Sequence, residues 1–245
     1  HHAQFRRQRQ MCIRDRIIAP VLEMPFFKVK DENKLVITNF KVMFTSFKET
    51  PQFVKIKRLE AKRRIKFNQP EIFFTVRNPY NRVTSFFLDK FRNIPLSVNP
   101  DSSYKWERPQ RVFFPLLGLP IRASDVTEVR DRLLNTSFSD YIMMLHRIHE
   151  VDEHVNPQSW ILNHPRYYFA QSLDLELKDI NCIKIEDSKE MTRFADSTGF
   201  NLKKKANSTS KFDEDLSFSG EHLEIVNNIY LSLIHISEPT RPREI

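Results

Sequence analysis

Ile72-Phe73-Phe74-Thr75-Val76-Arg77-Asn78-Pro79-Tyr80-Asn81-Arg82-Val83-Thr84-Ser85-Phe86-Phe87 reads as a buried strand that runs straight into a helix. The first five residues are apolar or β-branched and uncharged, as a strand covered on both faces requires. Pro79 is suited to a first helical turn. From Asn81 to Phe91, Val83, Phe86, Phe87 and Phe91 recur at helical spacing. Arg77 therefore stands at a strand's carboxyl end, where open α/β sheets bind ligands. Ser85 lies eight residues later, about one and a half turns into the helix, and can reach back toward the same anion. A planar guanidinium plus a hydroxyl makes a clamp for a phosphate-like group. The plainer reading makes Arg77 a helix cap and Ser85 a small packing residue.

The same alternation extends along the chain. Leu35-Val36-Ile37-Thr38 follows the polar Lys30-Asp31-Glu32-Asn33 and reads as a second buried strand. A helix is expected from about Thr45-Ser46, with Phe53, Ile56, Leu59 and Ile65 on one face, divided in two at Pro51. The Pro-rich, aromatic stretch from Ile94 to Ser124 reads as a long loop with short elements. Two helices follow, marked by Val126, Val129 and Leu133, then by Tyr141, Ile142, Leu145 and Ile148. Ile180 to Glu186 reads as a further strand, Ser188 to Ser197 as a helix ending at Gly199, Lys203 to Ser210 as a loop, and Glu221 to Tyr230 as the start of a last helix. Strands alternating with helices give a single α/β domain whose largely parallel sheet is covered on both faces.

Between the first strand and its helix stands Asn39-Phe40-Lys41-Val42-Met43-Phe44-Thr45-Ser46. A lysine leaving a strand end, followed by two hydroxyls at a helix start, suits an anionic group. This is no Walker A loop, because the glycines that such a loop needs are absent. By itself Lys41 is more often an ordinary surface lysine.

The termini read differently. Met11-Cys12-Ile13-Arg14-Asp15 back-translates as ATG TGT ATA AGA GAC, followed by the AG of an Arg16 codon, and the reverse complement of that DNA, CTG TCT CTT ATA CAC AT, reads as Leu231-Ser232-Leu233-Ile234-His235-Ile236. One oligonucleotide flanking an insert in both orientations accounts for this, and it resembles a translated sequencing-library adapter. Residues 1–16 and 231–245 are accordingly expected to be adapter-derived, leaving a C-terminally truncated domain over 17–230. Of the formal charge of +8, residues 1–16 carry five Arg and one Asp, or +4, and 231–245 carry zero. The remaining +4 suits an anionic small ligand and excludes an extended nucleic-acid surface. Cys182 is the only cysteine of 17–230, so no intramolecular disulfide forms there. No apolar run approaches the ~20 residues that span a bilayer, so no membrane anchor lies in this stretch.

Lys41 to Ser46 and Arg77 to Ser85 together resemble the two nucleotide-binding motifs of the carbohydrate sulfotransferases of the family-2 type. The second motif of that family has the form R-[DN]-P-x-x-R-x-x-S, met here by Arg77-Asn78-Pro79-Tyr80-Asn81-Arg82-Val83-Thr84-Ser85. Asp152-Glu153-His154-Val155-Asn156-Pro157-Gln158-Ser159 resembles its acidic-x-His-aromatic-x-Pro-Gln stretch, with Val155 at the aromatic position. Ile183-Lys184-Ile185-Glu186 resembles its later strand ending in glutamate. The resemblance implies a P-loop-like three-layer α/β fold. It also implies sulfuryl transfer from 3′-phosphoadenosine 5′-phosphosulfate (PAPS) to a hydroxyl, expected to belong to a carbohydrate, with no metal. Arg77 and Ser85 would bind the donor's 3′-phosphate, and Lys41, Thr45 and Ser46 its 5′-phosphosulfate. The first motif of the family is usually P-K-x-[GA]-S-T, whereas Phe40, Met43 and Phe44 occupy its proline and small positions here. Those side chains either narrow the cradle or point into the core.

Sulfuryl transfer needs a base for the acceptor hydroxyl and positive charge on the transferring group. Lys41 is the candidate for the charge. His154 is the candidate base, because two carboxylates precede it and it falls in the family-like stretch; a structural or acceptor-binding role is the alternative. His146 and His149, at i, i+3 beside His154, suggest a metal site less well than a polar helix face. The basic run Lys55, Lys57, Arg58, Lys62, Arg63, Arg64 and Lys66 reads as a solvated face or as guidance for an anionic polysaccharide. Trp106 with Tyr104, Arg108 and Arg111 reads either as a sugar-stacking loop or as aromatic core. Two other functions stand beside this one: a nucleotide-dependent kinase-like enzyme, which the missing glycine loop disfavours, and a non-catalytic domain binding anionic glycans.

Overall fold

The computed structural model describes residues 25–94, 105–163, 173, 175–202 and 216–234, with side chains beyond Tyr230 outside the described set. Five strands, β1 (Phe26–Val29), β2 (Lys34–Ile37), β3 (Phe53–Ile56), β4 (Glu71–Val76) and β5 (Asn181–Lys184), form one sheet in the order β3-β1-β2-β4-β5. β2, β4 and β5 pair in parallel, with Ile37 beside Phe74 and Val76 beside Lys184. β1 runs antiparallel to both β2 and β3, so the sheet is mixed. Between β1 and β2 the chain has only Lys30 to Asn33, with Asp31 at φ 60°, and so short a link can join only antiparallel neighbours.

Alternation across the strands fills both faces. Phe26, Leu35, Ile37, Phe74 and Val76 point to one side and pack with Ala61, Ile161 and Leu162. Phe27, Val36, Phe73 and Ile183 point to the other and meet Phe47, Met191 and Phe194. Helices therefore cover the sheet on each side, α2 (Arg58–Asn68) on the first and α1 (Phe44–Lys48) with α8 (Ser188–Thr198) on the second. A third cluster of rings, including Phe86, Phe87, Phe91, Phe113 and Tyr141, joins α3 (Pro79–Phe87), α5 (Val126–Leu134), α6 (Phe138–Ile148) and α9 (Gly220–Ile234). α7 (Trp160–Asn163) packs on the first face through Ile161 and Leu162, and the short α4 (Arg108–Arg111) leads into Val112 and Phe113 of the ring cluster. Trp106 is buried near Phe114, at 6.2 Å between ring centroids, and so belongs to this core; Tyr104 lies outside the described residues.

The region after Thr45 departs from expectation. In place of helices carrying Phe53 and Ile56, the chain forms the five-residue α1, then strand β3, then α2. Phe53 and Ile56 are buried, and β3 satisfies the outer backbone groups of β1, which would otherwise be an open edge beside an apolar core. The helix opened by Pro79 ends in a π-helical turn over Leu88–Arg92, closed by the Asn93 N–H on the Leu88 carbonyl at 2.8 Å. The expected loop at 203–210 and all of 1–16 lie outside the described residues, as do 235–245. The last helix continues past Tyr230 to Ile234.

Gly199 ends α8 at φ 69°, with its N–H on the Ala195 carbonyl at 2.8 Å. A Cβ there would sit an ordinary 3.6 Å from Gln52, so left-handed backbone strain is the main cost of substitution. Gly199→Ala is expected to lower stability by about 1 kcal/mol, seen as a lower urea midpoint at unchanged slope. A midpoint equal to that of the parent would show that the turn does not need glycine.

Candidate active site

Because β2, β4 and β5 run in parallel, their carboxyl ends share one edge of the sheet. Lys41 follows β2, Arg77 follows β4, and Glu186 follows β5. The turn from Thr38 to Met43 is held tightly. The Thr38 hydroxyl donates to the Val42 carbonyl and accepts from the Thr75 hydroxyl at 2.8 Å. Lys41 and Met43 both take positive φ, 66° and 55°. Phe40, Met43 and Phe44, the bulky departures from the motif, pack inward: Phe44 meets Phe27 and Phe40, and Met43 packs against the cluster that contains Phe27.

Lys41 forms an ion pair with Asp89, which the π-helical turn presents. Asp89 also holds Lys90 at 2.7 Å, and Lys90 in turn pairs with Glu107. Burial lowers the Lys41 pKa more than Asp89 raises it. Burial pushes Asp89 the other way, but Lys41 and Lys90 outweigh it and hold the carboxyl below its usual range.

Arg77 is fixed through its main chain. Gln158, fully buried, accepts from the Arg77 N–H at 2.9 Å and donates to its carbonyl at 2.7 Å. The Arg77 guanidinium donates to the Lys41 carbonyl at 3.2 Å and lies 3.9 Å from Glu186. Glu186 accepts from the Asn78 N–H at 3.0 Å and the Asn81 amide at 3.2 Å, while the Asn78 side chain caps α3 by accepting from the N–H of Tyr80. Ser85 is buried on α3, Ser46 is half-buried and Thr45 exposed on α1. Among the described residues, no hydrogen bond joins these three to Lys41 or Arg77.

His154 reaches the same edge. Its ring stacks on Phe40 at 4.4 Å and 30°, and its Nδ1 lies 2.8 Å from Asp152. With an ionised carboxylate at Nδ1, the proton of the neutral ring resides there and Nε2 keeps its lone pair. Asp152 and Glu153 are both buried, and Arg108 stands 3.9 Å from one and 3.4 Å from the other. Burial and the neighbouring Asp152 push Glu153 up to about 8. Asp152 goes the opposite way, since His154 and Arg108 outweigh its burial. Asp152, Glu153 and His154 bring one ligand atom each within 4.8 Å of one another, the spacing of a metal-binding group. The guanidinium of Arg108 already supplies positive charge to this pair of carboxylates. His146 and His149 are not part of the group; their ring centroids are 6.3 Å apart, and His149 bonds to helix carbonyls.

The sequence profile of the sulfotransferase family matches residues 8–230. The chain belongs to the sulfotransferase family. Sulfuryl transfer is the chemistry that membership supports, with a hydroxyl-bearing acceptor. The matched range takes in residues 8–16, part of the stretch read above as adapter-derived. No curated protein and no solved structure gives a significant match. Of the residues that build this candidate site, Arg82, Gln158 and Asp89 carried no assigned role in the sequence reading, and Arg108 was read only with the Trp106 loop, as sugar stacking or aromatic core. Arg82 and Gln158 stood inside the quoted motifs, which was the available signal. Asp89 gave none.

The elevated Glu153 pKa fixes a pH trend. Between its ordinary value of 4.5 and about 8, the folded state holds a proton that the unfolded state has released. This contribution to stability is therefore complete below pH 4.5 and is lost as pH rises through about 8. In Glu153→Gln, a neutral amide replaces the protonated acid and that part of the decline should vanish. Urea midpoints measured across this range for both proteins check it, and parallel curves would contradict the assignment.

Proposed function

We propose that this chain transfers a sulfuryl group from PAPS to a hydroxyl, most plainly that of a carbohydrate. The observation that carries the reading is one chain of contacts: Arg77 bonds to the Lys41 carbonyl, and Phe40, next to Lys41, stacks on His154. Donor-binding and proton-accepting groups are thereby gathered on a single sheet edge. Arg77 and Ser85 hold the 3′-phosphate, and Lys41, Thr45 and Ser46 hold the 5′-phosphosulfate. His154 Nε2 takes the acceptor proton while the acceptor oxygen attacks sulfur. The bond from sulfur to the bridging phosphate oxygen breaks, and adenosine 3′,5′-bisphosphate departs. Lys41 neutralises the charge that grows on the transferring group and leaving phosphate. Asp152 keeps the imidazole in the tautomer that can accept the proton and stabilises the imidazolium that results. Positive charge comes from lysine and arginine in this scheme, with no step assigned to a metal.

Three measurements test the scheme. Adenosine 3′,5′-bisphosphate should raise the melting temperature and ATP should not; the reverse would favour a kinase-like enzyme. Labelled PAPS with an array of carbohydrate acceptors should give labelled product, whereas nucleotide binding without transfer would favour a non-catalytic domain. Arg77→Ala should weaken adenosine 3′,5′-bisphosphate binding by about one to two decades and adenosine 5′-phosphate far less, since a hydrogen bond to a charged group is worth ~1.5–3 kcal/mol. Equal losses for both nucleotides would remove Arg77 from the 3′-phosphate site.

Catalysis separates from binding in a second pair of variants. His154→Ala should slow transfer by roughly 10²–10⁴-fold and leave nucleotide affinity nearly unchanged. Lys41→Ala should also slow transfer, with a smaller loss of adenosine 3′,5′-bisphosphate affinity than Arg77→Ala. A His154→Ala enzyme with parental turnover would take the histidine out of the mechanism while leaving the donor site intact.

A further inference from the structure

The face of the molecule formed by α2 and the edge strand β3 is unlike the rest of the surface. Inward, α2 buries Arg58 and Ala61 and half-buries Ile65. Outward it presents Leu59 at 61% exposure and Phe67 at 72%, and β3 exposes Val54 at 39%. At 100° per residue, Lys62, Arg63 and Lys66 fall on the same outward arc as Leu59 and Phe67. From Val54 to Phe67 the chain carries seven basic residues against the single acid Glu60. Glu60 is engaged by Arg64 at 3.2 Å, so it does little to offset the outward lysines and arginine. Lys66 lies over the Phe67 ring at 5.4 Å, so charge and apolar surface are interleaved.

We propose that this face docks on an anionic phospholipid membrane surface. Basic side chains meet anionic headgroups, and the exposed Leu59 and Phe67, interleaved with them, reach into the headgroup layer. Among the described residues, no helix is long and apolar enough to cross a membrane, so α2 lies on the surface. The two outward apolar side chains favour this occupant over a polyanionic glycan, which would reward the lysines and arginine but not an exposed leucine. α2 follows β3, which runs in the direction of β2, so its first turn lies at the edge that carries Lys41 and Arg77 and its last turn at the opposite edge. A molecule resting on α2 keeps the candidate active edge to the side, open to a neighbouring acceptor. The inference does not depend on the proposed reaction.

The full chain is tested by flotation with phosphatidylcholine vesicles that contain or lack phosphatidylserine. Binding to the phosphatidylserine vesicles that weakens with salt is expected. Lys62→Glu with Arg63→Glu and Lys66→Glu should reduce it by at least about a hundredfold, at roughly fivefold for each basic side chain lost. Leu59→Ser with Phe67→Ser should reduce it at least about tenfold. Lys189→Glu with Arg193→Glu, on α8 across the sheet, should change little; Lys62 is half-buried and the other substituted side chains are exposed, and unchanged urea midpoints confirm folding. The proposal is overturned if the parent ignores these vesicles yet binds heparin through the same basic residues. It is also overturned if Leu59→Ser with Phe67→Ser binds vesicles like the parent, or if the pair merely turns a solution dimer into a monomer.

Discussion

A single buried guanidinium joins the parts of the candidate site. Arg82, 1% exposed, donates to the carbonyls of Phe40 at 3.3 Å, Asn156 at 2.7 Å and Glu153 at 3.1 Å. A charge in that position is tolerated only with such partners, and each partner carbonyl would itself be costly to leave unpaired. The three acceptors belong to two loops, the turn after β2 and the segment that carries His154, which also meet through the Phe40–His154 stack and the Asn39 amide on the Gln158 carbonyl at 3.2 Å. Arg82 stands on α3, whose capped start follows Arg77. Loop, helix and histidine segment are thus set against one another by one side chain. Tyr230 extends the arrangement by donating to the Val155 carbonyl at 2.6 Å, which ties α9 to the same segment.

The turn around Lys41 also shows how a departure from a family motif is accommodated. Met43 occupies a position where the motif usually has glycine or alanine, and its φ of 55° is a conformation that glycine enters freely. A side chain there costs about 1–2 kcal/mol, and Lys41 has a similar cost. Such strain persists where surrounding contacts over-determine the backbone. Here the contacts are the Thr38 bond to Val42, the Arg77 bond to Lys41 and the Arg82 bond to Phe40. Packing of Phe40, Met43 and Phe44 into the core adds to them.

What could be read from the sequence follows the range of the interactions. β2 and β4 are short apolar runs between polar ones, β5 lies where Ile183 and Ile185 alternate with polar residues, and α3, α5, α6 and α8 repeat apolar residues at helical spacing, so local pattern was sufficient. β3 deceived because its buried residues, Phe53 and Ile56, are three apart, which suits a helix as well as this strand's burial pattern. β1 has only four residues and no alternation of polarity beyond Lys28. Lys41, Arg77 and His154 were legible as motif positions. The clamp of Gln158 on Arg77 spans 81 residues, and the Asp89 partner of Lys41 lies 48 away on a π-helical turn that no periodicity announces. Nothing local in a sequence encodes pairings of that length.

The charges at the edge are already paired, and the two pairings differ in a way that bears on the proposed reaction. Glu186 spends its hydrogen bonds on the Asn78 N–H and Asn81 amide, and its 3.9 Å contact with Arg77 is loose. An arriving phosphate can engage the guanidinium without displacing Glu186 from the start of α3. Lys41 stands differently, because its ammonium is bonded directly to Asp89. In the proposed reaction a donor sulfuryl group would have to compete with that carboxylate, and Asp89 would keep its pair with Lys90. The exchange replaces one anionic partner of Lys41 with another, so ground-state binding gains little from it. The gain grows as negative charge builds on the leaving phosphate, which is where a catalyst needs it. In the proposed reaction Arg77 would therefore contribute mainly to affinity and Lys41 mainly to rate, although both are cations leaving neighbouring strands.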